Sequence, residues 1–164
     1  MKNNFKKLTL LGLVLMMCIT FLTGCSKDPK NFTYGALTVT LNKTFKESSR
    51  NGFDLYVSSE NVIFSVVEET EENLEFSGYT ISNLKGYCEE IMLLNNVSED
   101  SLVQRNNYYY FINKKTISGA SYTYVHCMYY GAGSYWVCEF VCKTKDYDSY
   151  KERIFKWADS ITIQ

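Results

Sequence analysis

Histidine and proline occur once each in the 164 residues, tryptophan twice, and arginine only at positions 50, 105 and 153. With His126 as the single imidazole there is no H-E-x-x-H metal motif. The chain also lacks a G-x-S-x-G nucleophile elbow and a glycine loop of the kind that cradles phosphate. These absences exclude the common sequence forms of zinc-peptidase, serine-hydrolase and nucleotide-binding chemistry. The one long apolar run, residues 8–22, is too short to span a bilayer comfortably. No internal repeat is visible. The only proline, Pro29, lies in a polar stretch without periodicity, residues 26–34, that reads as a tether.

The start of the chain carries the clearest positive signal. Lys2, Lys6 and Lys7 precede the apolar run, which closes on Leu22-Thr23-Gly24-Cys25. A positive flank, an apolar middle and a small residue before the processing point form the pattern read by export machinery. The segment resembles the lipobox of bacterial lipoprotein precursors. That resemblance implies cleavage before Cys25, diacylglycerol on the Cys25 sulfur with acyl chains such as palmitate, and a place on the extracytoplasmic face of the cell membrane. Two acyl chains anchor a protein where one holds it only marginally. Cys18 lies inside the apolar run and leaves with the signal. The expected organisation is a signal peptide over residues 1–24, a tether over 25–34 and one domain over 35–164. Processing removes three lysines and leaves 14 basic against 18 acidic residues, a formal charge of −4. That balance speaks against nucleic acid or an anionic lipid surface as the ligand of the domain.

About 130 residues follow the tether, enough for one compact domain with its own core. Leu37, Val39 and Leu41 alternate with threonines, and Phe53, Leu55 and Val57 alternate with Asp54 and Tyr56, so both stretches read as strands. A third strand over residues 62–67 runs into Glu68-Glu69-Thr70-Glu71-Glu72, which reads as a solvated turn. The period then changes. Ile81, Leu84, Cys88, Ile91 and Met92 recur at helical spacing, with Thr80 or Ser82 as the expected cap. Residues 108–112, 122–130 and 135–142 read as three antiparallel strands, the last two joined by Gly131-Ala132-Gly133-Ser134. Centring that turn between Ala132 and Gly133 places Cys127 opposite Cys138, Val125 opposite Phe140, Tyr129 opposite Trp136 and His126 opposite Glu139. A final amphipathic helix starts at Asp146 and turns Tyr147, Tyr150, Ile154 and Trp157 inward, before a short closing strand over residues 160–163.

This order, the spacing Trp136-x-x-x-Phe140 and the ending Phe155-x-x-x-Asp159-Ser160-Ile161 resemble the PsbP-like superfamily. The resemblance implies an α+β fold in which an antiparallel sheet is flanked by helices, an α/β/α sandwich. The superfamily includes photosystem extrinsic subunits, a Ran-binding import factor and DcrB-like bacterial lipoproteins. No metal-binding or Ran-binding signature carries over residue by residue, so the resemblance implies a scaffold and no site.

Three constellations bear on chemistry. The His126/Glu139 pair has the residue types of a general acid/base couple, but a cross-strand polar pair needs no catalytic role. Cys127 and Cys138 are the candidate disulfide, since oxidation is permitted outside the cytoplasm and opposed strand positions bring Cβ atoms near; the alternatives are a bridge from Cys88 to a sheet cysteine and free cysteines buried as small apolar residues. Cys138 and Cys142 share a face some 13 Å apart, too far to hold one metal ion. The 14 tyrosines concentrate in the strand-rich half. Aromatic side chains suit a sheet covered by helices, and outward ones offer a binding platform, for which Tyr124, Tyr130 and Tyr135 are the candidates beside His126 and Glu139. The expectation is a membrane-anchored, non-enzymatic binding or scaffold domain without cofactor or metal, facing an envelope or cell-wall partner. The competing reading is a small-ligand binder or enzyme using the sheet face around His126, Glu139 and the tyrosines.

Overall fold

A computed structural model describes residues 28–164, so the expected signal peptide, Cys18 and the lipidation residue Cys25 lie outside the described residues. The first half runs β1 (Pro29–Tyr34), β2 (Leu37–Asn42), β3 (Lys46–Glu47), β4 (Leu55–Ser58), β5 (Val62–Thr70), helix α1 (Glu71–Phe76) and helix α2 (Leu84–Leu94). The second half runs β6 (Val103–Arg105), β7 (Tyr108–Ile117), β8 (Ala120–Gly131), β9 (Ser134–Lys143), helix α3 (Tyr147–Asp159) and β10 (Thr162–Ile163). Seven strands form one antiparallel sheet in the order β3-β4-β5-β9-β8-β7-β6, and β1-β2-β10 form a small second sheet.

Alternation decides which side each residue faces. Leu55, Val57, Phe64, Val66, Val125, Cys127, Trp136, Cys138 and Phe140 pack with Leu37, Val39 and Leu41 of β2 and with Ile154 and Trp157 of α3 in the larger core. The opposite face puts Phe111, Met128, Tyr135 and Val137 against Leu74 of α1 and Tyr87, Cys88 and Met92 of α2. The sheet is thus flanked by helices on both sides as expected, with a small sheet sharing the side of α3.

The expected β8–β9 register holds at all four pairs. The turn is the two-residue loop Ala132-Gly133, both at positive φ (53° and 74°), the twist that a tight hairpin requires. At the same end Gly131 makes room for β10. A Cβ there would lie 2.8 Å from Ile163 Cγ2.

Four expectations need correction. The tether ends sooner than expected, because Pro29–Tyr34 is strand β1, paired along its length with β2 and with Phe32 in the core. Pro29 is tolerated because it opens an edge strand, where a missing N–H breaks no central ladder. The acidic stretch over residues 68–72 is not a turn. Glu68 and Glu69 extend β5, where they accept hydrogen bonds from Ser134 Oγ (2.8 Å) and Tyr87 Oη respectively, and Glu71 and Glu72 open α1 at the end of the helix dipole that favours acids. The cap of α2 is Asn83, whose side chain accepts from Gly86 N at 3.0 Å, rather than Thr80 or Ser82. Asp146 sits at the start of α3 without a capping side-chain bond, since a 3-10 turn over Thr144–Asp146 leads into the helix.

The chain ending explains itself in contacts. Ser160 Oγ donates to Trp157 O and lies within bonding distance of the Thr40 backbone, tying α3 to β2. Asp159 accepts from Arg105 Nε (2.9 Å) and Nη2 (2.7 Å), from Asn106 Nδ2 and from Tyr108 Oη, tying α3 to β6 and β7. The Arg105 guanidinium holds the Asp159 carboxyl below its ordinary value. A carboxyl that is more acidic folded than unfolded stabilises the fold above its unfolded pKa, near 4, and loses that contribution as pH falls through the folded value. Asp159→Asn is therefore expected to lower stability at pH 7 and to flatten the loss of stability between about pH 5 and 3. Denaturant midpoints across that window check this, and parallel curves for the two proteins would contradict it.

Candidate functional site

The strand registers place side chains of the helix-flanked face in rows across the sheet. Glu69, Tyr135 and Tyr130 form one row, and Val67, Val137, Met128 and Tyr109 the next; this end lies under α1 and α2. Tyr56, Ser65, Glu139, His126 and Phe111 form the boundary row. Beyond it come Ser58, Ile63, Val141, Tyr124 and Asn113, where the helical layer ends.

His126 and Glu139 do face each other, with Nδ1 2.8 Å from Oε1, although the contact is poorly aligned for a hydrogen bond. Nε2 lies 3.2 Å from Asn113 Oδ1, and the ring stacks on Phe111 with centroids 4.4 Å apart. At 0% exposure His126 offers no nitrogen to a solvent-borne substrate. Ser65 stands opposite Glu139 on its other side, so the carboxylate lies between serine and histidine. A hydrolytic triad needs the histidine in the middle, where it can take the serine proton. This row has the three residue types in an order that does not perform that chemistry.

Cys88, Cys127, Cys138 and Cys142 are free and buried, so the candidate pair Cys127/Cys138 faces across β8 and β9 without a disulfide. Burial pushes the Cys88 thiol up to about 12 and the Cys142 thiol to about 11, leaving neither as a ready thiolate. Among the described residues no group of three histidine, cysteine, aspartate or glutamate side chains converges to hold a metal ion.

The tyrosines expected to form one platform divide. Tyr124 flanks His126 and carries Lys115 Nζ 5.2 Å above its ring. Tyr130 and its cross-strand partner Tyr135 lie six residues farther along the strands, at the far end of the face. There Tyr135 is buried and stacks on Tyr87 at 4.5 Å, while Tyr130 is half-exposed and donates to Glu71 Oε1 at 2.9 Å. Tyr108 and Tyr129 point into the opposite core, where Tyr129 Oη donates to Ala158 O.

Two recesses result. The first, about 350 Å³, lies on the uncovered end of the face between Tyr56, Ile63, Tyr122, Val141 and Lys143; neither His126 nor Glu139 lines it. The second, about 360 Å³, runs along α1 and the loop that follows, lined by Glu71, Leu74, Glu75, Tyr79, Ile81 and Tyr135. A smaller hollow sharing Leu74, Tyr79 and Ile81 continues it to Glu90, Ile91 and Leu94 of α2. Close by in sequence, Phe76, Leu93 and Leu94 are 94%, 71% and 66% exposed. Between Arg50 and Arg105 the chain has one basic residue, Lys85, against eleven acidic ones. That asymmetry is the sequence signal for the groove, and whole-chain net charge conceals it.

No family model and no curated protein matches the sequence. Solved structures match in shape. Cyanobacterial PsbP (CyanoP) from Synechocystis sp. PCC 6803 superposes with TM-score 0.50 at 9% identity, over 87% of this chain and 96% of that one. The Ran-binding protein Mog1p of Saccharomyces cerevisiae gives 0.53 at 8% identity, over 84% and 96%. The fold is PsbP-like. A Bacteroides thetaiotaomicron VPI-5482 protein gives 0.59 at 13% identity, over 82% of this chain and 48% of that one, so the chain spans about half that protein's length. At these identities the PsbP-like likeness is one of scaffold.

Proposed function

We propose that this chain is a lipid-anchored extracytoplasmic protein whose PsbP-like domain binds an envelope protein partner and has no catalytic role. The observation that carries the binding part is the exposure of Phe76 on α1 and of Leu93 and Leu94 on α2, with Leu94 lining the hollow that continues the α1 groove. A domain gains nothing for its own stability by exposing such large apolar side chains, and exposed apolar surface beside a groove marks an interaction site. The buried histidine and the order Ser65–Glu139–His126 support a role without catalysis. One protein of the same fold is a Ran-binding protein, so the scaffold is compatible with protein recognition.

The anchoring part rests on Leu22-Thr23-Gly24-Cys25 after its short apolar run. With β1 starting at Pro29, Cys25 lies four residues before the folded domain, a reach of at most about 13 Å. The domain then lies close to the bilayer instead of reaching away from it. Fractionation tests this: the natural chain is expected in the membrane fraction as a cleaved, lipid-modified species, and Cys25→Ala is expected to accumulate as precursor. Equal membrane attachment with no precursor would contradict the lipobox reading.

A second reading has one observation in its favour. The recess between Tyr56 and Tyr122 falls in the volume range of small-ligand sites. It lacks the convergent buried polar groups that fix a ligand, because His126 and Glu139 stand outside it.

A further inference from the structure

We propose that the groove between α1 and α2 receives a lysine- or arginine-rich segment of a partner protein, anchored by large apolar side chains. This rests on the partner-binding reading and names the surface and the chemistry of the partner.

The groove has an apolar floor and an acidic rim. Leu74, Tyr79, Ile81 and Leu94 supply the floor, and Glu71, Glu75 and Glu90 stand along it. Among the described residues the ion pair on these helices is Lys85–Glu89, so the three rim carboxylates carry no cationic partner. Concentrated negative charge beside exposed apolar surface repels anionic phospholipid and nucleic acid alike, and it steers cationic partners inward. Apart from Lys85 on α2 and Lys115, whose Nζ donates to Asn95 Oδ1 at the end of that helix, the basic residues lie elsewhere in the chain: Lys27, Lys30, Lys43 and Lys46 cluster near the anchor, and seven more follow residue 104. A bilayer of anionic lipid therefore attracts the β1 end and turns the acidic groove toward other envelope proteins. An amphipathic basic segment satisfies both features of the groove. Its apolar side chains cover Leu74, Tyr79 and Leu94 while its cations meet the glutamates.

The test uses the full chain in phosphatidylcholine nanodiscs and a short fluorescent peptide of lysines with leucines at helical i, i+4 spacing, read by anisotropy. The peptide is expected to bind, and a glutamate-for-lysine counterpart is not. Glu75→Lys combined with Glu90→Lys should weaken binding by about tenfold or more and flatten its salt dependence. Leu94→Ala should weaken it several-fold and leave the salt slope intact. All three positions are solvent-facing or half-exposed, and an unchanged melting transition confirms that each variant is folded. Equal affinity for the natural chain and these variants would overturn the proposal. So would no binding at all, or binding of phosphatidylglycerol vesicles that Leu94→Ala abolishes. Failure here with Cys25-dependent membrane attachment intact refutes the groove alone, whereas loss of that dependence refutes the anchored reading beneath it.

Discussion

Deleting Pro29–Tyr34 is expected to cost the domain more than the roughly 3–5 kcal/mol assigned to removing one buried phenylalanine. The segment looks dispensable in sequence, being polar and proline-containing. In the fold it is the outer strand of the small sheet, bonded to β2 from Pro29↔Asn42 to Tyr34↔Leu37. Phe32 is 3% exposed and packs in the larger core with Val39, its partner across the strands. Loss of the segment uncovers that core and leaves β2, which the short β10 meets only at Leu37 and Thr38, with a bare edge. Phe32→Ala separates the two effects, because it empties the core while the strand pairing remains. Urea unfolding with a tryptophan readout checks both variants. A deletion mutant with the midpoint of the intact chain would show that the domain begins at β2.

Trp136→Ala is the second large expected loss, again about 3–5 kcal/mol. The indole is fully buried on the central strand β9, opposite Tyr129 and Glu68. Its ring approaches Gly35, at the turn between β1 and β2, so it fills the seam between the two sheets. Nε1–H donates to Gly131 O at 3.1 Å, which holds the hairpin end at the point where β10 passes. Trp136→Phe keeps most of the apolar volume and loses that hydrogen bond. It is expected to cost less than half as much as the alanine variant. Equal losses for both would mean that the bond, not the ring, secures the hairpin.

The hairpin was legible because two local signals agree. Alternation across β8 and β9 and the Ala132-Gly133 turn demand the same pairing, and a slip of one residue would put Cys127, Tyr129 and Trp136 on the wrong face. The ending at Asp159-Ser160-Ile161 was legible as a pattern, though its reason lies in long-range contacts to Arg105 and Thr40 that no window of sequence contains. Strand β1 was missed because edge strands need little apolar content and Phe32 alone reports its burial. Helix α1 was missed because Leu74 is its one buried side chain and its glutamates look like a solvated turn. The proposed groove depends on α1, so it could not be drawn from periodicity. The division of the tyrosines between two ends of the face escaped the sequence for a related reason: alternation tells which face a residue takes, and only the placement of the helical layer tells whether that face is open.

Charge ties the fold to its proposed role. The stretch from β4 through α2 carries eight of the chain's eighteen acidic residues and a single basic one, Lys85, and it also supplies the helices that cover only one end of the sheet. The rest of the chain after residue 24 holds thirteen basic residues against ten acidic ones. On the anchored reading proposed above, such polarity orients the domain over an anionic bilayer with the acidic groove directed away from it.

Site-specific photo-cross-linking of the full chain in intact cells addresses this role most directly. A photoreactive phenylalanine at Leu94 reports the groove, and one at Tyr122 reports the recess on the uncovered sheet. A discrete protein adduct is expected from the Leu94 position, lost when Glu75→Lys and Glu90→Lys are added. Adducts from the Tyr122 position alone, or none from Leu94, would contradict it.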